Sequence, residues 1–399
     1  MILINNNKTL NNKLPIAIIS SLTGGLGHYC AHLAKPLSYF CNLKFITYPQ
    51  IDLSGTVVRE LTDSLIKTYI KWPRFDLDDN NVLSIVEIDN YLQKREINTI
   101  NIHVGTTIKR KINYFTTLLL YLKRVKKRKI VFTLHDVLPF DEDFNLTKIL
   151  KIFYPLADHY ITGNQKEKDK VIKYFHIPPS KIDIIPHGIY NLFDRKIYDQ
   201  IIARSYLNLP LNKKILLFFG FLREYKGIEC LIKANAILVK NKKVPPFITY
   251  IVASIKYSSK QYIEKILKLI KKLNLSNQII INFNYLDTGD IEAVFKASDI
   301  VVLPYIQASQ SGVMMMSFGF KKAVVISEAI YDKIWVNKKA GLVAKIKDHN
   351  SLAEKIAELL TNDENIKKYG EFGYQYAMKN FNWEEIAKKY FLVFKKVNE

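Results

Sequence analysis

Apolar and polar positions alternate in blocks along this chain of 399 residues. Short, continuous apolar runs suit strands covered on both faces, and segments with helical patterning separate them. The clearest run is Ile300-Val301-Val302-Leu303. Pro304 ends it, because proline has no N–H to give to the ladder. The next stretch, Gln307-Ala308-Ser309-Gln310-Ser311-Gly312, is small and polar, and an apolar helix follows it. Ser311 is placed to cap that helix, and Gly312 lets a ligand approach the backbone closely. A helix starting there aims unpaired N–H groups and a partial positive charge at the loop, which suits a phosphate. The pattern is equally that of an ordinary strand-loop-helix turn in an α/β protein.

Similar runs predict strands at residues 14–19, 99–104, 129–134, 159–162 and 182–185, with a first helix over about 30–40. Strand-helix alternation of this kind indicates a parallel, doubly wound sheet. From Asn212 onward the alternation begins again. A strand leads into the turn Phe221-Leu222-Arg223-Glu224-Tyr225-Lys226-Gly227, and a helix spans 228–239. Strands at 247–253 and 278–283 flank a basic helix over 259–273. The Ile300 run and a strand at 322–327 complete a second sheet, and residues 351–397 are mostly helical. There is no internal repeat and no long low-complexity linker.

Composition narrows the class. Hydrophobic content of 48% and a mean hydropathy of −0.03 belong to a globular chain. No apolar run reaches the roughly 20 residues that cross a bilayer. The first fourteen residues are rich in Asn and Lys and lack the apolar core of a signal peptide. Cys30, Cys41 and Cys230 have no metal-ligand spacing, which fits a reducing cytosol. The net charge of +22 favours an anionic partner: nucleic acid, an anionic membrane surface or a phosphorylated substrate. Much of that charge falls at 108–129, where Lys109, Arg110, Lys111, Lys123, Arg124, Lys126, Lys127, Arg128 and Lys129 surround an apolar centre. This resembles a basic amphipathic helix for an anionic lipid surface, and also a sheet-packed helix with a solvated basic end.

Candidate chemistry gathers at predicted strand ends, where open α/β sheets bind ligands. Gly24-Gly25-Leu26-Gly27-His28-Tyr29 follows the first strand, although its spacing is not the dinucleotide GxGxxG. His103, His135 and His187 each stand at such an end, as ligand contacts or as structural residues. Arg223 and Lys226 lie in the turn after the 213–220 strand and can neutralise a diphosphate. Asn282, Phe283, Asn284 and Tyr285, at another strand end, can hold an aromatic base.

Taken in order, these residues carry a resemblance. The anchors are the glycine loop, Thr133-Leu134-His135-Asp136, Ile184-Ile185-Pro186-His187-Gly188, and Phe219-Gly220 with Arg223 and Lys226-Gly227. Ala297-Ser298-Asp299 through Pro304-Tyr305, Ser311-Gly312, Ala340-Gly341-Leu342-Val343 and Phe381-Asn382-Trp383 continue the series. Nearly the whole chain resembles a family-4 retaining glycosyltransferase of the GT-B fold. The resemblance implies an α/β architecture of two Rossmann-like domains facing across a cleft. It places an acceptor-binding domain at 1–208, a nucleotide-sugar-binding domain at 209–380, and a helix at 381–399 that returns to the first domain.

By the same resemblance, Arg223 and Lys226 contact the donor diphosphate, and Ser311, Gly312 and Val313 present backbone N–H groups to it. Gly25 and Gly27 sit beside the phosphates and sugar, and Phe283, Asn284, Tyr285 and Gln310 complete the donor set. His28, His103 and His135 face the acceptor, and His135, Arg223 and Lys226 act in transfer. No metal or other cofactor is expected, since cationic side chains and a helix N-terminus can stabilise the leaving diphosphate. Two departures stand out. The family's Glu-x7-Glu pair is Ala308 and Met316 here, and its Arg after the strand-end glycine is Phe221. Gln307, Gln310 and Glu328 are candidates to hold sugar and ribose instead.

The expected activity is retaining transfer of a sugar from a nucleoside diphosphate to a hydroxyl on a glycan or lipid-linked acceptor, in glycolipid or surface polysaccharide synthesis. The expected location is cytoplasmic, with peripheral attachment to the inner face of the cell membrane, and nucleic acid is disfavoured as a partner. The alternatives are an inverting GT-B enzyme, a nucleotide-sugar epimerase, and an inactive carbohydrate- or nucleic-acid-binding protein.

Overall fold

The computed structural model describes residues 13–22, 24–47, 50–51, 57–58, 64–71, 74–76, 81, 83–105, 112–138, 144–256, 258–330 and 340–399. The chain forms two compact units, one of Met1–Pro186 with Trp383–Glu399 and one of His187–Asn382.

Seven strands build the sheet of the first unit: β1 (Leu14–Ile19), β2 (Cys41–Thr47), β5 (Arg74–Asp76), β6 (Thr99–Val104), β7 (Lys129–Leu134), β8 (His159–Thr162) and β9 (Ile182–Ile184). Their spatial order is β5-β2-β1-β6-β7-β8-β9, and every pairing is parallel. A small antiparallel ribbon, β3 (Gln50–Ile51) with β4 (Val57–Val58), stands apart from it. Helices cover both faces of a parallel sheet, so its central strands are largely apolar. Ile16 to Ile19 are fully buried, as are Ile100, Ile102 and Val104.

The second unit repeats the plan with β10 (Lys214–Phe221), β11 (Phe247–Ser254), β12 (Ile279–Asn282), β13 (Ile300–Leu303), β14 (Ala323–Ser327) and β15 (Gly341–Ala344). The order is β12-β11-β10-β13-β14-β15, again with parallel pairings. Strand order reverses direction between β1 and β6 in the first sheet and between β10 and β13 in the second. Crevices at the carboxyl ends of such strand pairs are the usual ligand sites of open α/β sheets.

Two elements differ from their sequence reading. The first helix spans Gly24–Ser38, six residues earlier than expected. Gly24, at φ +54°, turns the chain directly from the loop into the helix, so the other glycines lie in the first turns. The basic segment is not one helix. It is an α-helix over Ile112–Leu120, a π-turn over Tyr121–Val125 and then β7, which begins at Lys129. Asp89 binds Arg128 at 2.7 Å and Lys126 at 2.8 Å, and Asp158 binds Lys123 at 2.9 Å, so three of its cations are paired. Lys109, Arg110 and Lys111 lie outside the described residues.

The units part at Pro186 rather than near 208, and buried polar contacts explain why. Glu292, fully buried, accepts from the Ile197 N–H at 2.8 Å and pairs with Arg195. Arg204 pairs with Asp299 at 2.7 Å and donates to the Ala297 carbonyl. Asp299 also accepts from the Ile215 N–H at 2.6 Å, which ties the helix over Gln200–Tyr206 to the starts of β10 and β13. At the other end of the unit, the Phe381 carbonyl accepts from the Ile189 N–H at 2.9 Å. The last helix, Trp383–Asn398, packs on the Gly24–Ser38 helix of the first unit.

Candidate active site

In the second unit the turn after β10 is locked onto the end of β13. Glu224–Lys226 forms a single 3-10 turn, and Gly227 follows in the left-handed region at φ +69°. A Cβ on Gly227 would lie 1.9 Å from the Pro304 carbonyl oxygen, so only glycine permits this approach. The Ile306 N–H donates to the Tyr225 carbonyl at 2.7 Å and closes the clamp. Lys226 is thereby set over the face of buried Tyr305, with Nζ 3.8 Å from the ring centroid. Arg223, half-buried, opens the same turn.

Tyr305 has its hydroxyl buried, without a hydrogen-bond partner at ordinary distance but close to Ser311. Ser311 caps the helix Gly312–Gly319, its Oγ accepting from the Met314 N–H at 3.2 Å. Gly312 and Val313 form the first helical turn, where backbone N–H groups lack intrahelical partners. Gly220, at the end of β10 with φ +131°, faces Val313. His187 and Tyr190 back Gly312 from the other side: a Cβ there would lie 3.5 Å from His187 Nε2 and 3.3 Å from Tyr190 Cε2. The His187 Nδ1–H donates to its neighbour's carbonyl, Gly188 O, at 2.7 Å, which leaves Nε2 as the unprotonated nitrogen. Burial pushes this imidazole down to about 4, so it is neutral near pH 7. Arg223, Lys226, Ser311, Gly312 and Val313 therefore lie on neighbouring segments at the switch point of this sheet.

The remaining residues of the expected donor set are more dispersed. Phe283 is half-buried against the hydrophobic core of this unit, and Asn284 is exposed. Tyr285 stacks on Phe221, the residue standing in place of the family's arginine, with ring centroids 6.4 Å apart. Gln310 is half-buried and Gln307 exposed in the loop before the helix. Glu328 is exposed, and its carboxylate accepts from the Ile346 N–H at 3.4 Å.

In the first unit, Gly25 is exposed with open space where a side chain would go. Gly27 is not open: a Cβ there would lie 2.4 Å from Ile66 Cδ1 and 2.7 Å from the Leu22 carbonyl carbon. Its small size serves packing rather than ligand approach. His28 is nearly covered, and its carbonyl pairs with His32 Nδ1. His103 is fully buried within β6 and cannot touch an acceptor. His135, just past β7 and half-buried, is the histidine that reaches the strand edge. His103 Nδ1 lies 3.1 Å from His135 Nε2, and Tyr29 packs edge-on against both rings. Trp383 and Tyr390, from the last helix, close over Tyr29. Among the described residues no three His, Cys, Asp or Glu side chains gather as a metal site, and no helix is long and apolar enough to cross a membrane.

Sequence reading gave no role to Tyr305, Tyr190 or Tyr390, whose contacts are set by tertiary neighbours rather than by local spacing. His187 was visible as a strand-end histidine, but nothing local paired it with Gly312.

The chain matches the family model for glycosyl transferases group 1 over residues 199–376 and that for Glycosyltransferase Family 4 over 81–190. It is 24% identical over 242 residues to a D-inositol 3-phosphate glycosyltransferase of Segniliparus rotundus, covering 58% of this chain and 50% of that protein. The chain thus spans about half the length of that relative. Sucrose-phosphate synthase from Thermosynechococcus elongatus superposes with a TM-score of 0.74 at 19% identity, over 96% of this chain and 99% of that one. Anabaena HepE in complex with UDP and glucose gives 0.72 at 15% identity, over 96% and 100%. The fold is that of the GT-B glycosyltransferases, with two parallel-sheet α/β domains.

Proposed function

We propose that this chain, which carries a group 1 and a Family 4 glycosyltransferase domain on a GT-B fold, transfers a sugar from a nucleoside diphosphate to a hydroxyl acceptor with retention of configuration. One observation carries the reading. The turn holding Arg223 and Lys226 is clamped to the end of β13, beside a serine-capped helix whose first turn is Gly312-Val313. On this reading the two cations and the N–H groups of the helix start serve the diphosphate as it leaves. Fixed donors of this kind stabilise developing charge without reorganising. HepE, which shares the fold, is seen with UDP and glucose, and a UDP-sugar is the first donor to try. The aromatic pair Phe221–Tyr285 offers a face for its base.

On this reading the first unit supplies His135 to the transferred sugar or to the attacking hydroxyl. The acceptor is a glycan or a lipid-linked saccharide. Peripheral attachment to an anionic membrane draws on exposed Arg124, Lys127 and Val125, since Lys123, Lys126 and Arg128 are engaged in ion pairs. Calorimetry with UDP is the direct test of the donor site. Saturable binding to the wild type that is lost in Arg223→Ala and Lys226→Ala variants of unchanged melting temperature supports it. Equal binding by all three refutes the placement.

A further inference from the structure

In the second unit the helix Ile228–Leu238 joins β10 to β11, and the helix Lys260–Lys272 joins β11 to β12. Each turns an apolar side inward. Leu231, Ile232 and Leu238 of the first and Tyr262, Ile266 and Ile270 of the second pack into the core of this unit. The outward sides are basic. From residue 233 to residue 272 the chain carries ten lysines, no arginine and one acidic residue, Glu264. The two helices lie side by side, since Lys265 on the second reaches Glu229 on the first at 3.0 Å. Glu264 stands 3.6 Å from Lys268, with both side chains largely exposed. Among the described residues, Lys233, Lys240, Lys242, Lys243, Lys271 and Lys272 are exposed and make no ion pair.

Topology sets where this charge gathers. A helix that joins two parallel strands must run from the carboxyl edge of the sheet back to its amino edge. Both helices therefore end at the amino edge, where Lys240, Lys242 and Lys243 follow the first and Lys271 and Lys272 close the second. Arg223 and Lys226 follow the end of β10, at the opposite edge. The basic face is thus not the diphosphate site. Helix dipoles do not account for it either. A helix C-terminus carries about half a negative charge, so two of them offset roughly one of these five lysines. The rest repel one another until an anion lies against them.

The kind of anion follows from what stands between the lysines. Ile237, Val239 and Leu267 are 37%, 46% and 45% exposed. Ile237 is one helical turn from Lys233, and Leu267 is one turn from Lys271, so apolar and cationic side chains share a face. Lysine stems can lie along an apolar layer while their ammonium groups stay in water or among headgroups. Nucleic acids are held instead by arginine forks and stacking aromatic rings. This face has no arginine and, among the described residues, no exposed aromatic ring. We propose that the outer side of these two helices is a docking surface for an anionic lipid bilayer. Ile237, Val239 and Leu267 enter the headgroup layer, and the lysines around them pair with lipid phosphates. The surface is separate from Arg124, Lys127 and Val125, which belong to the first unit. It rests on the attachment proposed there only for the kind of membrane, and it needs nothing from sugar transfer.

The test is flotation of the full chain with vesicles of phosphatidylcholine alone and of phosphatidylcholine mixed with phosphatidylglycerol, at about 0.1 M salt. The wild type should float with the anionic vesicles only. A lysine beside an anionic bilayer is worth about five-fold in binding, so Lys242→Gln with Lys243→Gln should weaken flotation roughly 25-fold, as should Lys271→Gln with Lys272→Gln. Leu267→Ser should weaken it about five-fold with no change of charge. Lys367→Gln with Lys368→Gln is the control. Both lysines are exposed on the helix Asp363–Asn380, which packs by β14, and this pair should keep wild-type binding. All these positions are exposed, so each variant should keep the wild-type melting temperature. Equal losses in the control and in the two face pairs would mark a response to net charge alone and overturn the surface. Anionic binding that neither face pair weakens also overturns it, and leaves the attachment to Arg124 and Lys127 standing. No flotation of the wild type overturns both attachments together, while UDP binding still judges the donor site. A Leu267→Ser protein that floats like the wild type, or a DNA duplex that displaces the vesicles at the same salt, overturns the choice of a bilayer.

Discussion

Gly227→Ala gives the sharpest consequence of the clamp between the β10 turn and the end of β13. Two costs add. A non-glycine residue at φ +69° costs roughly 1–2 kcal/mol. The new Cβ would start 1.9 Å from the Pro304 carbonyl oxygen and 3.0 Å from its carbon. Both atoms are backbone, so no side chain can swing away to make room. Forced overpacking of this kind costs about 1–3 kcal/mol. The sum, about 2–5 kcal/mol, corresponds to a fall in melting temperature of roughly 4–20 °C for a unit of this size. The strain should also open the Ile306 N–H to Tyr225 carbonyl bond, now 2.7 Å, and shift Lys226 off Tyr305. Thermal unfolding followed by circular dichroism, together with UDP titration of the folded variant, reads both effects. Gly25→Ala is the control, since nothing lies within 4 Å of its Cβ position, and it should keep the wild-type melting temperature. A Gly227→Ala protein as stable as wild type, with unchanged UDP affinity, would refute the clamp.

Further outcomes follow from the same geometry. Lys226→Ala should lose about 2–4 kcal/mol of transition-state stabilisation with little change in melting temperature, and wild-type turnover at saturating donor rules the role out. Tyr305→Phe should be nearly neutral, because the hydroxyl it removes is buried without a partner, whereas Tyr305→Leu should lower turnover by loosening Lys226; identical kinetics for the two would sink the ring's part. Folding lowers His187 to about 4 and His103 to about 3, so between pH 6.5 and 4 the unfolded chain binds more protons than the folded one. Stability from these histidines is complete above pH 6.5 and fades on acidification, by roughly 2 kcal/mol for each at pH 5; urea midpoints that stay level from pH 7 to 5 would contradict this. Flotation with liposomes should show salt-sensitive recovery with anionic lipid, and equal recovery with neutral lipid excludes electrostatic attachment.

Much of the fold was legible because buried parallel strands are apolar on both faces. Runs such as Ile300–Leu303 and Thr99–Val104 are marked at both ends by polar or proline residues. β2 was missed since Asn42 and Lys44 interrupt its apolar positions, and β15 is short and only partly buried. The start of the first helix was misread because glycines signal a loop, yet Gly24 at positive φ turns straight into the helix. In the site, Arg223, Lys226, Ser311 and Gly312 could be read from strand ends and a cap signature. The purpose of Asp299 could not, since Arg204 and the Ile215 N–H reach it from elsewhere in the chain. His103 looks like surface chemistry in sequence, but it is fully buried within β6, with Nδ1 3.1 Å from His135 Nε2.

The central claim is that the cations and helix start of the second unit serve a leaving diphosphate. It is tested most directly by incubating the chain with a panel of nucleoside diphosphate sugars, with and without saccharide and lipid-linked acceptors, and measuring release of free nucleoside diphosphate. The account predicts release from one class of donor, accelerated by acceptor, yielding a product of unchanged anomeric configuration and nearly abolished in Lys226→Ala. No release from any donor, or release that Lys226→Ala leaves intact, would contradict it.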